Sequence, residues 1–193
     1  MIRIAREADV LQMRAIYEPY VEHTTWSFEY TVPSEAEFLA RFRDYTQQFP
    51  WLVYEQDGVI LGYAYASAPF SREAFRWCCE PSIYLAPQAQ RKGIGRKLYL
   101  ALEQILRLQG YRLSYAIITV ENQPSISFHE ALGYRHLAAF PGCGYKLGTW
   151  TGVVWMEKEL NFVANPSEFP VKWRSVVKND RNLADILDKM TLS

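Results

Sequence analysis

Apolar residues along the chain change their period repeatedly, and each change marks an element. "MIRIAR" alternates in the manner of a short strand. From about Glu7 to Val21 the apolar positions Val10, Met13, Ile16 and Tyr17 recur at helical spacing. "TTWSFEYTVP" loses any period and reads as a loop carrying three aromatic residues. Ser34 then opens a second helix, because "SEAE" is a capping box in which Glu37 reaches back to the cap residue. "WLVYE" and "VILGYAYAS" read as a hairpin, with Asp57-Gly58 supplying the positive-φ turn. "PSIYL" is a short strand. A helix from Gly95 to Gln109 follows, with Leu98, Leu102, Ile105 and Leu106 on one face and Gly110 as its stop.

"YRLSYAIITV" is a further strand and "PSISFHEAL" a short helix ended by Gly133, while "GYKLGTWTGVVWMEKEL" carries the last strand. Strands alternating with helices after a hairpin predict one mixed α/β (α+β) sheet domain over residues 1–160. Beyond Leu160 the pattern weakens. "NFVANPSEFP" reads as a connector and "RNLADILDKM" as a short amphipathic helix, so residues 161–193 form an extension.

Composition narrows the function classes. The 193 residues include 49% apolar and 22% charged side chains, an ordinary globular mix. Lys plus Arg and Asp plus Glu each number 21, so no global charge argues for nucleic acid, and any anion site must be local. Cys78, Cys79 and Cys143 form neither a disulfide framework nor metal-ligand spacing, so no metal is expected. No apolar run reaches the ~18 residues of a membrane span, and the start lacks a signal-peptide pattern. The expectation is a cytoplasmic protein with no membrane or nucleic-acid partner.

One stretch carries local charge. "QRKGIGRKLY" places two glycines among four basic side chains, between a strand and a helix. Free N–H groups at a helix start, a positive dipole end and glycines permitting close approach together suit a phosphate. Neither the G-x-x-x-x-G-K-[ST] pattern nor G-x-G-x-x-G is present, since Arg96-Lys97-Leu98 follows Gly95. The pattern Q/R-x-x-G-x-G/A does fit, over Gln90, Arg91, Lys92, Gly93, Ile94 and Gly95. It resembles the acetyl-CoA pyrophosphate loop of the GNAT (general N-acetyltransferase) superfamily. "SIYL" before it, "LSYAIITV" after it and then "ENQPSISFHEALGY" stand where that family has its strand, second strand and helix. "FPWLV", "GYAYA", "SFHEALGY" and "GYKLGTW" are similar, more narrowly, to the phosphinothricin acetyltransferases and relatives that acetylate methionine sulfoximine and methionine sulfone. The likeness runs from Ile2 to Leu160 and leaves out the extension.

The resemblance implies a GNAT fold, a mixed central sheet with splayed central strands and flanking helices. It implies acetyl transfer from acetyl-CoA to the α-amine of a small amino-acid-like molecule, and a homodimer; direct transfer in a ternary complex is favoured because no cysteine sits in the motif as an acyl carrier. It also implies the site. Ile83, Tyr84, Leu85, residues Gln90 to Gly95, Arg96, Asn122 and Ser125 would hold acetyl-CoA. Glu80 would be the base and His129, where many relatives carry Tyr, an acid or base. Arg72 would bind an acidic group of the acceptor, with Phe28, Phe70, Ser71, Pro81 and Ser82 lining that pocket.

Each assignment has a plainer alternative. Glu80 can be a carboxylate paired with an arginine, His129 a hydrogen-bonded helix histidine, Arg72 a solvated loop residue, and Asn122 a turn former. His23 and His136 have no such context and are read as structural. Two positions depart from the relatives: Phe75 stands where phosphinothricin enzymes have Tyr, and Gly152 where many have Asp. Both bear on the acceptor more than on the reaction. Other amines (a protein N-terminus, a polyamine, an aminoglycoside) and an acyl-CoA sensor without turnover are the rival readings. A nucleotide-binding protein is the weakest, because both phosphate motifs fail.

Overall fold

The computed structural model describes residues 1–162, 166 and 168–191. Its centre is a seven-stranded mixed sheet in the order β1-β2-β3-β4-β5-β7-β6. β1 (Ile2–Ile4), β2 (Trp51–Gln56), β3 (Val59–Ser67) and β4 (Cys78–Leu85) pair antiparallel in sequence. Asp57 at φ 52° and Gly58 at φ 78° form the turn between β2 and β3. β5 (Leu113–Thr119), β7 (Thr149–Glu159) and β6 (Arg135–Lys146) form the other half. The halves join in parallel through only two residue pairs, Cys78 with Leu113 and Cys79 with Ser114. Beyond Cys79 the two strands part, so the splayed centre expected from the resemblance is present.

Helices cover both faces. α1 (Val10–His23) follows a 3₁₀ turn at Glu7–Asp9, so the first helix has two parts. α2 (Glu35–Tyr45) starts at the Ser34 capping box, with Ser34 N–H donating to Glu37 at 2.7 Å. α3 (Ile94–Gln109) buries Leu98, Leu102, Ile105 and Leu106 completely and ends at Gly110, φ 96°. These three pack with β2, β3 and β4 into the main core, while α4 (Gln123–Ala131) covers a smaller cluster around Tyr99, Ile118 and Met156.

Three expectations need correction. β4 starts at Cys78, so Glu80 lies inside the strand and not before it. β6, twelve residues long, is absent from the sequence reading: almost all of it is exposed, and Pro141-Gly142 interrupts it where the register slips between Phe140 and Gly144. An edge strand solvated on both faces leaves no alternation to detect. The extension holds α5 (Trp173–Val176) as well as the expected helix, α6 (Asp180–Thr191). Trp173, Val177 and Leu183 are buried in the main core, and Asp180 accepts from Arg6 at 2.7 Å.

Candidate active site

Where β4 and β5 diverge, the β4 edge that would have met β5 has no strand partner beyond Cys79. The gap is a narrow cavity of about 90 Å³, walled by Glu80 to Tyr84 on one side, Ala116 to Thr119 on the other, and Asn122, Ser125 and His129 at its end. Tyr20 fixes the far end of β4 by donating its hydroxyl to the Leu85 carbonyl at 2.7 Å. Leu85 itself turns its side chain toward Gly62 and Gly95.

The basic loop stands beyond this cleft. Gly93 caps α3 at φ 75°, and a Cβ built there meets nothing within 4 Å. The first backbone bond of the helix start is Lys97 N–H to the Gly93 carbonyl, so the N–H groups of Ile94, Gly95 and Arg96 have no acceptor among the described residues. Arg91, Lys92 and Arg96 are exposed and form no ion pair among the described residues. Gln90 reaches the Tyr20 hydroxyl at 3.5 Å. A helix start that no side chain caps, open and positively charged, fits a pyrophosphate. A second observation fits a polar ligand in the cleft: the Thr119 hydroxyl is buried and has no protein partner.

Glu80 is half-buried, and no hydrogen bond or ion pair reaches its carboxylate among the described residues. Burial raises its pKa above the ordinary glutamate range. This geometry disfavours the paired-carboxylate alternative and gives a carboxylate that holds a proton more readily than an ordinary glutamate. Glu80, Ser82 and Tyr84 occupy one face of β4. They line a wider cavity of about 600 Å³ with Phe28, Arg41 and Thr119. Glu80, Ser82, Tyr84 and Thr119 belong to both spaces, so the narrow cleft and the wide cavity meet at Glu80.

His129 is 4% exposed. Its Nδ1 lies 2.7 Å from the Ser125 carbonyl, which can only accept, so Nδ1 carries the proton. Nε2 therefore accepts from the Tyr99 hydroxyl at 2.9 Å, and Tyr134 and Ser114 continue the buried chain. Burial pushes the imidazole down to about 4. Both nitrogens are engaged within the protein. Asn122 accepts from Ser125 N–H at 3.2 Å as the cap of α4, and its amide nitrogen has no acceptor among the described residues.

The acceptor residues named from the sequence divide. Phe28 and Ser82 share the wide cavity with Glu80, and Pro81 lies on the cleft side. Phe70, Ser71 and Arg72 line a neighbouring cavity of about 510 Å³, reached past Ala68. Sequence reasoning missed Tyr20, Trp26, Ile117 and Thr119 in the walls, and Arg41, which donates to Glu29 at 2.6 Å. Ile117, an apolar strand residue, is left 37% exposed beside the gap, which no sequence pattern marks. Lys146, buried, holds the aromatic loop by donating to the Ser27 carbonyl at 2.6 Å, and Phe28 packs on Gly144.

Known proteins share this arrangement. Residues 2–155 match the family described as Acetyltransferase (GNAT) domain. The chain is 33% identical over 165 residues to a phosphinothricin N-acetyltransferase of Streptomyces viridochromogenes, covering 86% of this chain and 90% of that one. It is 34% identical over 167 residues to an L-methionine sulfoximine/L-methionine sulfone acetyltransferase of Salmonella typhimurium, covering 86% and 97%. A phosphinothricin acetyltransferase of Sinorhizobium meliloti, solved in complex with AcCoA, superposes with a TM-score of 0.84 at 34% identity, covering 90% and 98%. With a splayed β4–β5 pair, an open basic helix start and this extent of similarity, the chain belongs to the GNAT acetyltransferase family.

Proposed function

We propose that the protein transfers an acetyl group from acetyl-CoA to the α-amine of a small amino-acid-like acceptor. The observation that carries the reading is Glu80, a half-buried carboxylate with no partner among the described residues, at the junction of the cofactor cleft and the wide cavity. Acetyl-CoA, when bound, supplies the thioester whose carbonyl carbon is the electrophile. The free N–H groups of Ile94, Gly95 and Arg96, with Arg91 and Lys92, would hold its pyrophosphate, and the open edge of β4 with the Asn122 amide would hold its arm. Glu80 takes the proton of the acceptor ammonium, and its raised pKa matches that task. We assign His129 to holding the cleft wall, since both its nitrogens are engaged. Bringing both reactants to one point supplies much of the rate.

We take residues 1–160 as the catalytic domain and place the protein in the cytoplasm, a location the three free cysteines support. A homodimer is proposed as well, supported by the apolar residues Leu137, Phe140, Tyr145, Leu147 and Trp150 exposed on β6, β7 and the turn between them.

The deciding experiment is thiol release from acetyl-CoA against phosphinothricin, methionine sulfoximine, methionine sulfone, the common amino acids and spermidine. Turnover on the amino-acid analogues is expected, with kcat reduced about 10²- to 10⁴-fold in Glu80→Gln while acetyl-CoA still binds. Undiminished kcat in that variant would remove Glu80 from the reaction. Turnover confined to spermidine would move the acceptor to polyamines.

A further inference from the structure

The face of β4 that holds Glu80 does not end there. Cys78 is the preceding residue on the same face, about 7 Å along the strand. It lines the neighbouring 510 Å³ cavity, which adjoins the acceptor cavity at Ala68. On one side of that cavity stand Phe70, Arg72 and Phe75 from the β3–β4 connection, and on another stand Phe169 and Pro170. These last two lie in the extension, outside the residues 2–155 that match the family.

Phe169 is held in place. Its ring lies 5.0 Å from that of Trp77 and 4.8 Å from the Arg76 guanidinium. Two residues on, Val171 exchanges backbone and side-chain hydrogen bonds with Gln109 at 2.9 and 2.7 Å. Trp173 is buried, with its indole N–H on the Thr46 carbonyl at 2.8 Å. Phe169 nonetheless remains 51% exposed. Of the two arginines in the cavity, Arg76 is paired with Glu73 at 2.5 Å, while Arg72 has no ion pair among the described residues.

We propose that Phe169 is a specificity-determining residue: the extension closes the cavity that receives the acceptor's side chain, and Phe169 packs on that side chain's apolar stem. This rests on the reading that Glu80 marks the acceptor amine. An amine at Glu80 places an outgoing side chain along β4 toward Cys78. The stem then meets Phe70, Phe75 and Phe169, and a terminal group with oxyanion or sulfone character comes to Arg72. The substrate class is an α-amino acid with a short apolar stem ending in such a group. A side chain no longer than a methyl cannot reach the extension.

The test uses the full chain with Phe169→Ala and Phe169→Leu, each checked for an unchanged thermal transition. Methionine sulfone and alanine are the probes, measured by calorimetric binding to the CoA-saturated protein and by thiol release. Phe169→Ala should weaken methionine sulfone about tenfold or more, through KM with kcat little changed. Phe169→Leu should recover part of the loss, and the preference for methionine sulfone over alanine should shrink while KM for acetyl-CoA stays put. Equal binding and turnover of methionine sulfone in wild type and both variants would overturn the proposal. So would a wild-type protein that binds neither probe. Phe169-dependent binding without thiol release would instead leave the cavity assignment standing and sink the acetyl-transfer reading.

Discussion

At the scale of single residues, the site rests on two titratable groups with opposite surroundings, Glu80 half-buried and His129 buried. Glu80 has no partner, so burial alone raises it. His129 has a partner on each nitrogen, and burial drives it down to about 4. Folded His129 therefore stays neutral where the unfolded chain, titrating near 6.5, takes up a proton. Between those values the unfolded state binds more protons, so this contribution is full above about pH 6.5 and is lost as the pH falls toward 4. A separation of that size is worth about 3 kcal/mol. Urea midpoints measured from pH 7 to pH 4 should fall more steeply in the wild type than in His129→Gln. Parallel curves would mean that His129 titrates normally. The sequence showed which residues these were, because Glu80 and His129 stand at marked points of a family pattern. Whether either was paired was invisible in it, since Tyr99 lies 30 positions from its histidine partner.

At the scale of elements, whatever a local rule controls could be read directly. The Ser34 capping box, the Asp57-Gly58 turn and the Gly110 stop each act within a few residues. β6 could not, because an exposed edge strand has no buried face to mark it. Its irregular middle also accounts for Gly152. A Cβ at that position would lie 2.6 Å from the Phe140 carbonyl oxygen and 2.9 Å from Pro141 Cα, both backbone atoms of the facing strand. The constraint is space, and the aspartate carried by relatives would require a different path for β6. Gly152→Ala should cost about 1–3 kcal/mol, seen as a lower urea midpoint at unchanged slope. A midpoint equal to wild type would show that the Phe140–Gly144 bulge yields without cost.

At the scale of the whole molecule, a formal charge of zero leaves long-range attraction to local patches. The patch at Arg91, Lys92 and Arg96 is exposed, so salt should screen it, with the Debye length falling from ~10 Å at 0.1 M to ~3 Å at 1 M. KM for acetyl-CoA is expected to climb with salt while kcat holds, and Arg91→Gln with Lys92→Gln should raise KM and flatten that slope. Steady-state kinetics across that range check it, and a salt-independent KM would argue against an electrostatic pyrophosphate site. The sequence by itself determined α1 to α4, the hairpin and the basic glycine turn, because capping, periodicity and glycine conformation act over a few residues. The family resemblance implied splayed central strands, but only the tertiary structure decided where the cleft opens, since β4 and β5 part after two residue pairs and no local pattern records where a ladder stops. It also decided that Arg72 faces a second cavity and that the extension forms one of its walls, for both depend on segments far apart in the chain meeting across the sheet.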